Sequence, residues 1–287
     1  MERVGFGSYN YWLRDGLDKG YAVAQININN LEFVQAIVEA AEEEHAPVIL
    51  GASEGALKYM GLDYAVAIAR TAAERSTVPV MLHLDHGPNL DWVLKAIRNG
   101  FSSVMIDASR LPLEENIALT KQVVDLCHPL GIEVEAELGR ITGTDDDLTV
   151  DERLATLCRP EDAERFVAET HVDALAAAIG SAHGRYKGKP QLDFARLSAI
   201  RKATGIPLVL HGGSGIPDDD VREAISLGIA KMNINTDNQE VFTAKVREVL
   251  AENPGVYDPR KYLGPGREEI KAMVKKKLAL TGSVNRV

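Results

Sequence analysis

The sequence predicts a closed (β/α)₈ barrel, and three features carry that prediction. Eight short, β-rich apolar runs recur at intervals of roughly 20 to 40 residues, and each is followed by a helical pattern. Nearly continuous apolar strands alternating with amphipathic helices imply a parallel sheet covered by helices. Polar or metal-capable residues stand at the C-terminal ends of the runs, where this architecture places its chemistry. An open, doubly wound sheet is the competitor. The expected arrangement is a single barrel over residues 1–287 with a C-terminal helical extension from about residue 255.

In chain order the predicted strands are Tyr21–Asn27, Pro47–Leu50, Pro79–Leu84, Ser103–Asp107, Ile132–Leu138, Ala174–Ile179, Pro207–Leu210 and Ala230–Asn235. Amphipathic helices are expected between them, among others over Leu31–Glu44, Leu62–Glu74, Leu90–Asn99 and Asp218–Leu227. Gly100, Gly131, Gly205 and Gly228 precede strands and suit left-handed helix C-caps. No linker or low-complexity stretch divides the chain. The net charge of −10 argues against non-specific binding to nucleic acid or anionic membranes. Two cysteines, Cys127 and Cys158, make neither a CxxC pair nor a disulfide framework, so a reducing cytoplasm is the expected compartment. Neither a secretory leader nor an apolar run near the ~18 residues of a membrane span is evident.

The strand ends carry Asn27, Ser53, Asp85 with His86, Asp107, Glu137, His183, His211, and Asn235 with Asp237. His86, His183 and His211 are each followed by glycine and would meet at one barrel mouth. Three neutral imidazoles with an open fourth position make a catalytic zinc site, whereas a structural site is closed by four protein ligands. His83 is expected to be packed, and His45, His128 and His171 to lie at the surface. Asp85, beside a metal-bound substrate, could exchange a proton with a hydroxyl. The glycine-rich run His211–Gly215 and the run Asn233–Asp237 follow strands seven and eight, the usual phosphate site of the fold. Ser214 and Thr236 add hydroxyl donors there. A Schiff-base mechanism would need a lysine at a strand's C-terminal end. Lys231 lies near the start of the last strand, so a metal electrophile is favoured.

The motifs AQININNLEF, ILGASEGA, HLDHG, SVMIDAS, VEAELG, AIGSAHGRYKGKPQLDF, LHGGSG, KMNINTDNQ and YDPRKYLGPGREEIK run through nearly the whole chain. In their order and spacing they resemble the class II, metal-dependent ketose-bisphosphate aldolases, which include fructose- and tagatose-bisphosphate aldolases. The resemblance implies a carbon–carbon lyase of glycolysis acting on a sugar phosphate, in a homodimer or homotetramer. It implies that His86, His183 and His211 hold the catalytic Zn²⁺ and that Asp85 serves the aldehyde-derived oxygen. Asp107 and Glu137 match positions of a second divalent metal. Gly184, Gly212, Gly213, Ser214, Asn233, Ile234, Asn235 and Thr236 match the dihydroxyacetone phosphate site, where a monovalent cation (Na⁺ or K⁺) often assists. Ser53 matches a triose contact, and Arg260 an arginine that reaches the far phosphate, in some members from a neighbouring subunit.

The chain departs from the family pattern at Pro88-Asn89, at Arg110 and in the loop after Glu137. There Asp145-Asp146 stand where the family commonly has Glu-Asp, whose glutamate moves the carbon-bound proton. Asp145 is the expected base, with Asp146 or Asp147 as substitutes, and the missing methylene requires closer approach of the loop. Two other classes compete. A barrel metallohydrolase would use metal-bound hydroxide on amides or esters, but the phosphate cradle argues against it. A non-catalytic sugar-phosphate binder is opposed by the complete histidine set and Asp85.

Overall fold

The structure is a computed structural model that describes residues 5–145, 148–150, 156–186, 188 and 190–287; for 142–145 and 148–150 the backbone alone is considered. The chain begins with α1 (Tyr9–Lys19), capped by the Ser8 hydroxyl and closed by left-handed Gly20. It continues through β1 (Val23–Asn27), α2 (Leu31–Glu43), β2 (Val48–Ser53), α3 (Glu54–Met60), α4 (Leu62–Arg75), β3 (Val80–Gly87), α5 (Leu90–Asn99), β4 (Ser103–Ile106) and α6 (Leu113–Cys127). Next come β5 (Glu133–Leu138), β6 (Thr142–Asp145), β7 (Leu148–Val150), α7 (Pro160–Thr170), β8 (Ala174–Ala177), β9 (Ala182–His183) and α8 (Phe194–Thr204). The chain ends with β10 (Leu208–Leu210), α9 (Asp218–Ser226), β11 (Ile229–Ile234), α10 (Thr236–Glu252) and α11 (Pro259–Thr281).

Eight strands close into a parallel barrel in the order β1-β11-β10-β8-β5-β4-β3-β2. They are the eight predicted runs, with ends shifted by a few residues, and the helix boundaries agree within a residue. Gly100, Gly131 and Gly205 are left-handed C-caps as expected. Gly228 is not, because α9 ends at Ser226 and its cap residue is Leu227, with φ −97°.

Two apolar layers follow from strand alternation. Outward-facing residues such as Leu50, Leu82, Leu84, Val104 and Ile234 join the helices in the larger cluster. Inward-facing Val23, Ile49, Met81, Met105, Ala174 and Val209 form a smaller cluster with Tyr9 and Leu13 of α1. Helix α1 therefore plugs the N-terminal end of the barrel and leaves the other end as the mouth. Gly7 N–H donates to the Val80 carbonyl at 2.9 Å and Ser8 Oγ to Glu133 at 2.9 Å, which ties the plug to two strand starts. Helix α11 packs on α2, α9 and β1, covering the seam between the first and last strands, while α10 lies against α11.

A small sheet, β7-β6-β9, stands over the mouth, with β6 and β7 antiparallel and β6 parallel to β9. The sequence reading did not anticipate it. Its strands are only two to four residues long, and such strands depend on pairing rather than on their own propensity. No helix among the described residues is long and apolar enough to cross a membrane.

Candidate active site

Asp85 and His86 are consecutive, yet both serve the barrel mouth. Strict alternation would turn one of them outward. His86 adopts φ +47°, in the left-handed region, and the β3–β4 register shifts between Leu84 and Gly87. A non-glycine residue in that conformation costs roughly 1–3 kcal/mol and persists only where its surroundings impose it. The hydrogen bond from His86 Nδ1 to Asp107 Oδ2, at 3.0 Å, is one such restraint.

From β9 and the end of β10, His183 and His211 complete a buried triad with His86. His86 Nε2 lies 2.9 Å from His211 Nδ1, and His183 Nε2 is 3.4 Å from that same nitrogen. One nitrogen from each ring falls within 4.8 Å of the others, a set that could hold a metal ion. The outer nitrogens are engaged elsewhere: His86 Nδ1 by Asp107, and His211 Nε2 by Glu135 Oε1 at 2.9 Å. The inner nitrogens of His86, His183 and His211 face one another. Burial, reinforced by the neighbouring histidines, pushes His183 well below the usual imidazole range, and burial also lowers His211. Burial opposes charge on His86 too, but the hydrogen bond to Asp107 and the nearby carboxylates outweigh it and raise that imidazole. A cation at the meeting point would take the place of a proton and relieve the repulsion between facing lone pairs.

His86 belongs to a second group, with Asp107 and Glu137, that could also hold a metal. Asp107 Oδ1 accepts from the Ser109 amide at 3.1 Å and its hydroxyl at 2.7 Å. Glu137 Oε2 is buried without a hydrogen-bond partner among the described residues. Burial and the charge of Asp107 raise the Glu137 carboxyl well above the usual range. A buried acceptor lacking a partner is where a cation would restore the balance.

Asp85 sits beside the triad, fully buried, accepting from Asn27 Nδ2 at 2.9 Å and Asn233 Nδ2 at 3.1 Å. Burial pushes its carboxyl up, but the charges of His86, His211, Lys231 and His83 prevail and hold it well below the carboxylate range. It is therefore an anion clamped by two amides. Ser53 is in register with Asp85 on the neighbouring strand, and its hydroxyl caps α3 by accepting from Ala56 N at 3.2 Å.

A small cleft beside the triad is lined by His183, Gly184, Gly212, Ser214, Asn233, Asn235 and Thr236. Thr236 is the first residue of α10, so a helix N-terminus faces the cleft, an arrangement that favours anions. Gly213 donates to the Asn233 carbonyl at 3.0 Å, which ties the two loops together. Gly212 has φ +66°, and a Cβ there would lie 2.1 Å from the Ala182 carbonyl oxygen. Gly212→Ala is expected to cost about 2 kcal/mol or more and to raise KM for a phosphorylated substrate. Urea unfolding and initial rates check both effects, and an unchanged unfolding midpoint would show that the loop repacks freely.

Two expected residues turn away from the site, and the side chain of a third lies outside the described residues. Ile234 turns its side chain into the outer core, leaving only its backbone near the cleft. Arg260, in the first turn of α11, is highly exposed and pairs with Asp258 of its own chain at 2.8 Å. Asp145 ends β6, but its side chain, like Asp146 and Asp147 altogether, lies outside the described residues.

His83 is packed, stacked on Tyr9 with ring centroids 5.1 Å apart and bonded to Ser103 Oγ at 2.8 Å. Burial, aided by Lys231, depresses it to about 3. His45, His128 and His171 are exposed. Lys231 points into the barrel below the histidines, where it is engaged by Glu135 at 2.7 Å. Asn27 as a clamp on Asp85 and Glu135 as a partner of His211 were not assigned those roles from sequence. The signal for the second was present, since Glu133, Glu135 and Glu137 alternate along β5 and so share its inner face.

The chain is similar to known proteins over nearly its whole length. The family model described as "Fructose-bisphosphate aldolase class-II" matches residues 8–286. A probable fructose-bisphosphate aldolase of Bacillus subtilis is 52% identical over 276 residues, covering 95% of this chain and 96% of the relative. A fructose-bisphosphate aldolase of Geobacillus stearothermophilus is 52% identical over 274 residues, 94% and 95% of the two chains. Among solved structures, the YdjI aldolase of Escherichia coli K12 superposes with a TM-score of 0.87 at 37% identity, covering 98% of this chain and 99% of the other. With its full-length match and its barrel fold, the chain belongs to the class II fructose-bisphosphate aldolase family.

Proposed function

We propose that this chain is a zinc-dependent aldolase that reversibly cleaves fructose 1,6-bisphosphate to dihydroxyacetone phosphate and glyceraldehyde 3-phosphate. The observation that carries the proposal is the convergence of three imidazole nitrogens beside a clamped, buried aspartate and a glycine-lined cleft. In this reading zinc is held by His86, His183 and His211, and when bound it supplies a Lewis acid for the negative charge that develops as the carbon–carbon bond breaks.

Asp85 takes the proton of the C4 hydroxyl in cleavage and returns it in condensation, with Asn27 and Asn233 holding its carboxylate in place. Asp145 delivers the proton to the substrate carbon that loses its bond. Strand β6, which carries Asp145, pairs with β9, which carries His183, so the loop is tied to the metal site. The cleft formed by Gly184, Gly212 through Ser214 and Asn233 through Thr236 binds the phosphate of the dihydroxyacetone half, with Na⁺ or K⁺ assisting. Ser53 contacts the triose. Asp107 and Glu137, with His86, hold a second divalent ion.

Arg260 is highly exposed and pairs with Asp258 of its own chain, which favours an oligomer in which it reaches the far phosphate of a neighbour. The whole chain acts as one barrel unit in the cytoplasm, and the buried free thiols of Cys127 and Cys158 suit a reducing compartment.

The test is a chelator-and-add-back assay with fructose 1,6-bisphosphate and tagatose 1,6-bisphosphate in parallel. Zinc-restored cleavage with higher kcat/KM on the fructose substrate is expected. A reversed preference would assign the chain to tagatose 1,6-bisphosphate, and tight sugar-phosphate binding without turnover would make it a binding protein only.

A further inference from the structure

Below the triad, the barrel interior holds a buried ionic cluster. Glu135, in the middle of β5, is fully buried and accepts from Lys231 Nζ at 2.7 Å, His211 Nε2 at 2.9 Å and the Tyr9 hydroxyl. His83 Nε2 lies 3.6 Å away, and the His83 ring stacks flat on Tyr9. Every donor but one approaches from the side or from the plugged end; His211 alone connects Glu135 to the mouth.

That connection settles the tautomer of His211. With the Nε2 proton given to Glu135, Nδ1 faces His86 and His183 as a lone pair. The other tautomer would place an N–H 2.9 Å from His86 Nε2, in the space a metal would need. A carboxylate taken this deep into the protein is costly unless it is paired and fully hydrogen-bonded. Lys231 supplies the counter-charge, and Tyr9 occupies a further lone pair. Tyr9 comes from α1, which otherwise only plugs the barrel floor.

We propose that Glu135 is a positioning residue that fixes His211 for metal binding through Nδ1, and that Lys231 and Tyr9 hold Glu135 in place, making α1 part of the metal centre. The proposal rests on the reading of His86, His183 and His211 as a zinc site.

Zinc affinity measured by competition with a chromophoric chelator, together with the visible spectrum of the cobalt-substituted full-length protein, tests it. Glu135→Gln is expected to weaken zinc binding about 10–100-fold and to alter the cobalt bands. The double variant Glu135→Gln/Lys231→Met removes both buried charges. It should recover any thermal stability lost by the single variant but not its zinc affinity, an outcome that separates positioning from folding. Tyr9→Phe leaves the ion pair intact and should show a smaller loss, about three- to tenfold.

Folded Glu135 variants that bind zinc within twofold of the parent, with an unchanged cobalt spectrum, overturn the positioning role. If neither Glu135 variant folds, Tyr9→Phe decides, and parental affinity and spectrum there refute the link to α1. A parent protein that binds no zinc at all would instead overturn the reading of the triad.

Discussion

Asp85→Ala is expected to lower kcat for fructose 1,6-bisphosphate cleavage by about 10²–10⁴-fold, the range for loss of a general acid–base group, while the protein remains folded and takes up zinc like the parent. The side chain is fully buried, yet its two partners are the amides of Asn27 and Asn233. Both amides lie at strand ends near the open mouth, where water can replace the lost carboxylate, so the fold should tolerate the change. Because Asp85 is held well below the usual carboxylate range, it is ionised at both pH 6 and pH 8. Loss of activity in the variant should therefore be the same at pH 6 and pH 8. Turnover within tenfold of the parent would remove Asp85 from the proton-transfer role.

Removal of the metal should have an effect as large. Dialysis against EDTA is expected to reduce cleavage about 1,000-fold or more, in keeping with the several kcal/mol that a Lewis acid contributes. Zinc should restore it. The same addition should raise thermal stability, since a ligand at 1,000 times its Kd stabilises the native state by about 4 kcal/mol. His211→Ala should respond in neither assay, because it removes one of the three imidazoles proposed to hold zinc and also leaves Glu135 facing Lys231 without its third donor. The two readouts protect the interpretation: a stability gain without recovered turnover would place zinc in the protein but outside the chemistry. Metal-free protein, verified by elemental analysis, that still cleaves the substrate at the parental rate would refute the metal-dependent mechanism.

Much of the site could be read before any coordinates. His86 and His211 stand at the ends of two separate barrel strands, which a closed parallel barrel gathers at one mouth, whereas His183 joins them from β9 of the small sheet, a strand the sequence does not predict. The glycine-rich stretch after His211 and the Asn233–Thr236 segment are neighbours for the same reason, as β10 and β11 are paired. The glycine at 212 could be noticed in the sequence, but not the Ala182 carbonyl that requires it. Arg260 illustrates the opposite case, a residue tied to the site by resemblance whose side chain in this chain turns to Asp258.

Eight strand–helix units, the end of the barrel that carries the polar groups, and the three histidines with Asp85 gathered there were all legible in the chain's own pattern. Hydrophobic periodicity and chain order are local properties, and barrel closure converts them into position. That His86 twists into a left-handed conformation to share the mouth with Asp85 emerges only once the strands are packed. The same holds for the plug formed by α1 and for the buried Glu135 that joins Lys231, Tyr9 and His211. Each of these depends on partners far apart in sequence or on a register shift between strands. Contacts of that kind are set by how the strands pack around the barrel, and no pattern within a single segment encodes them.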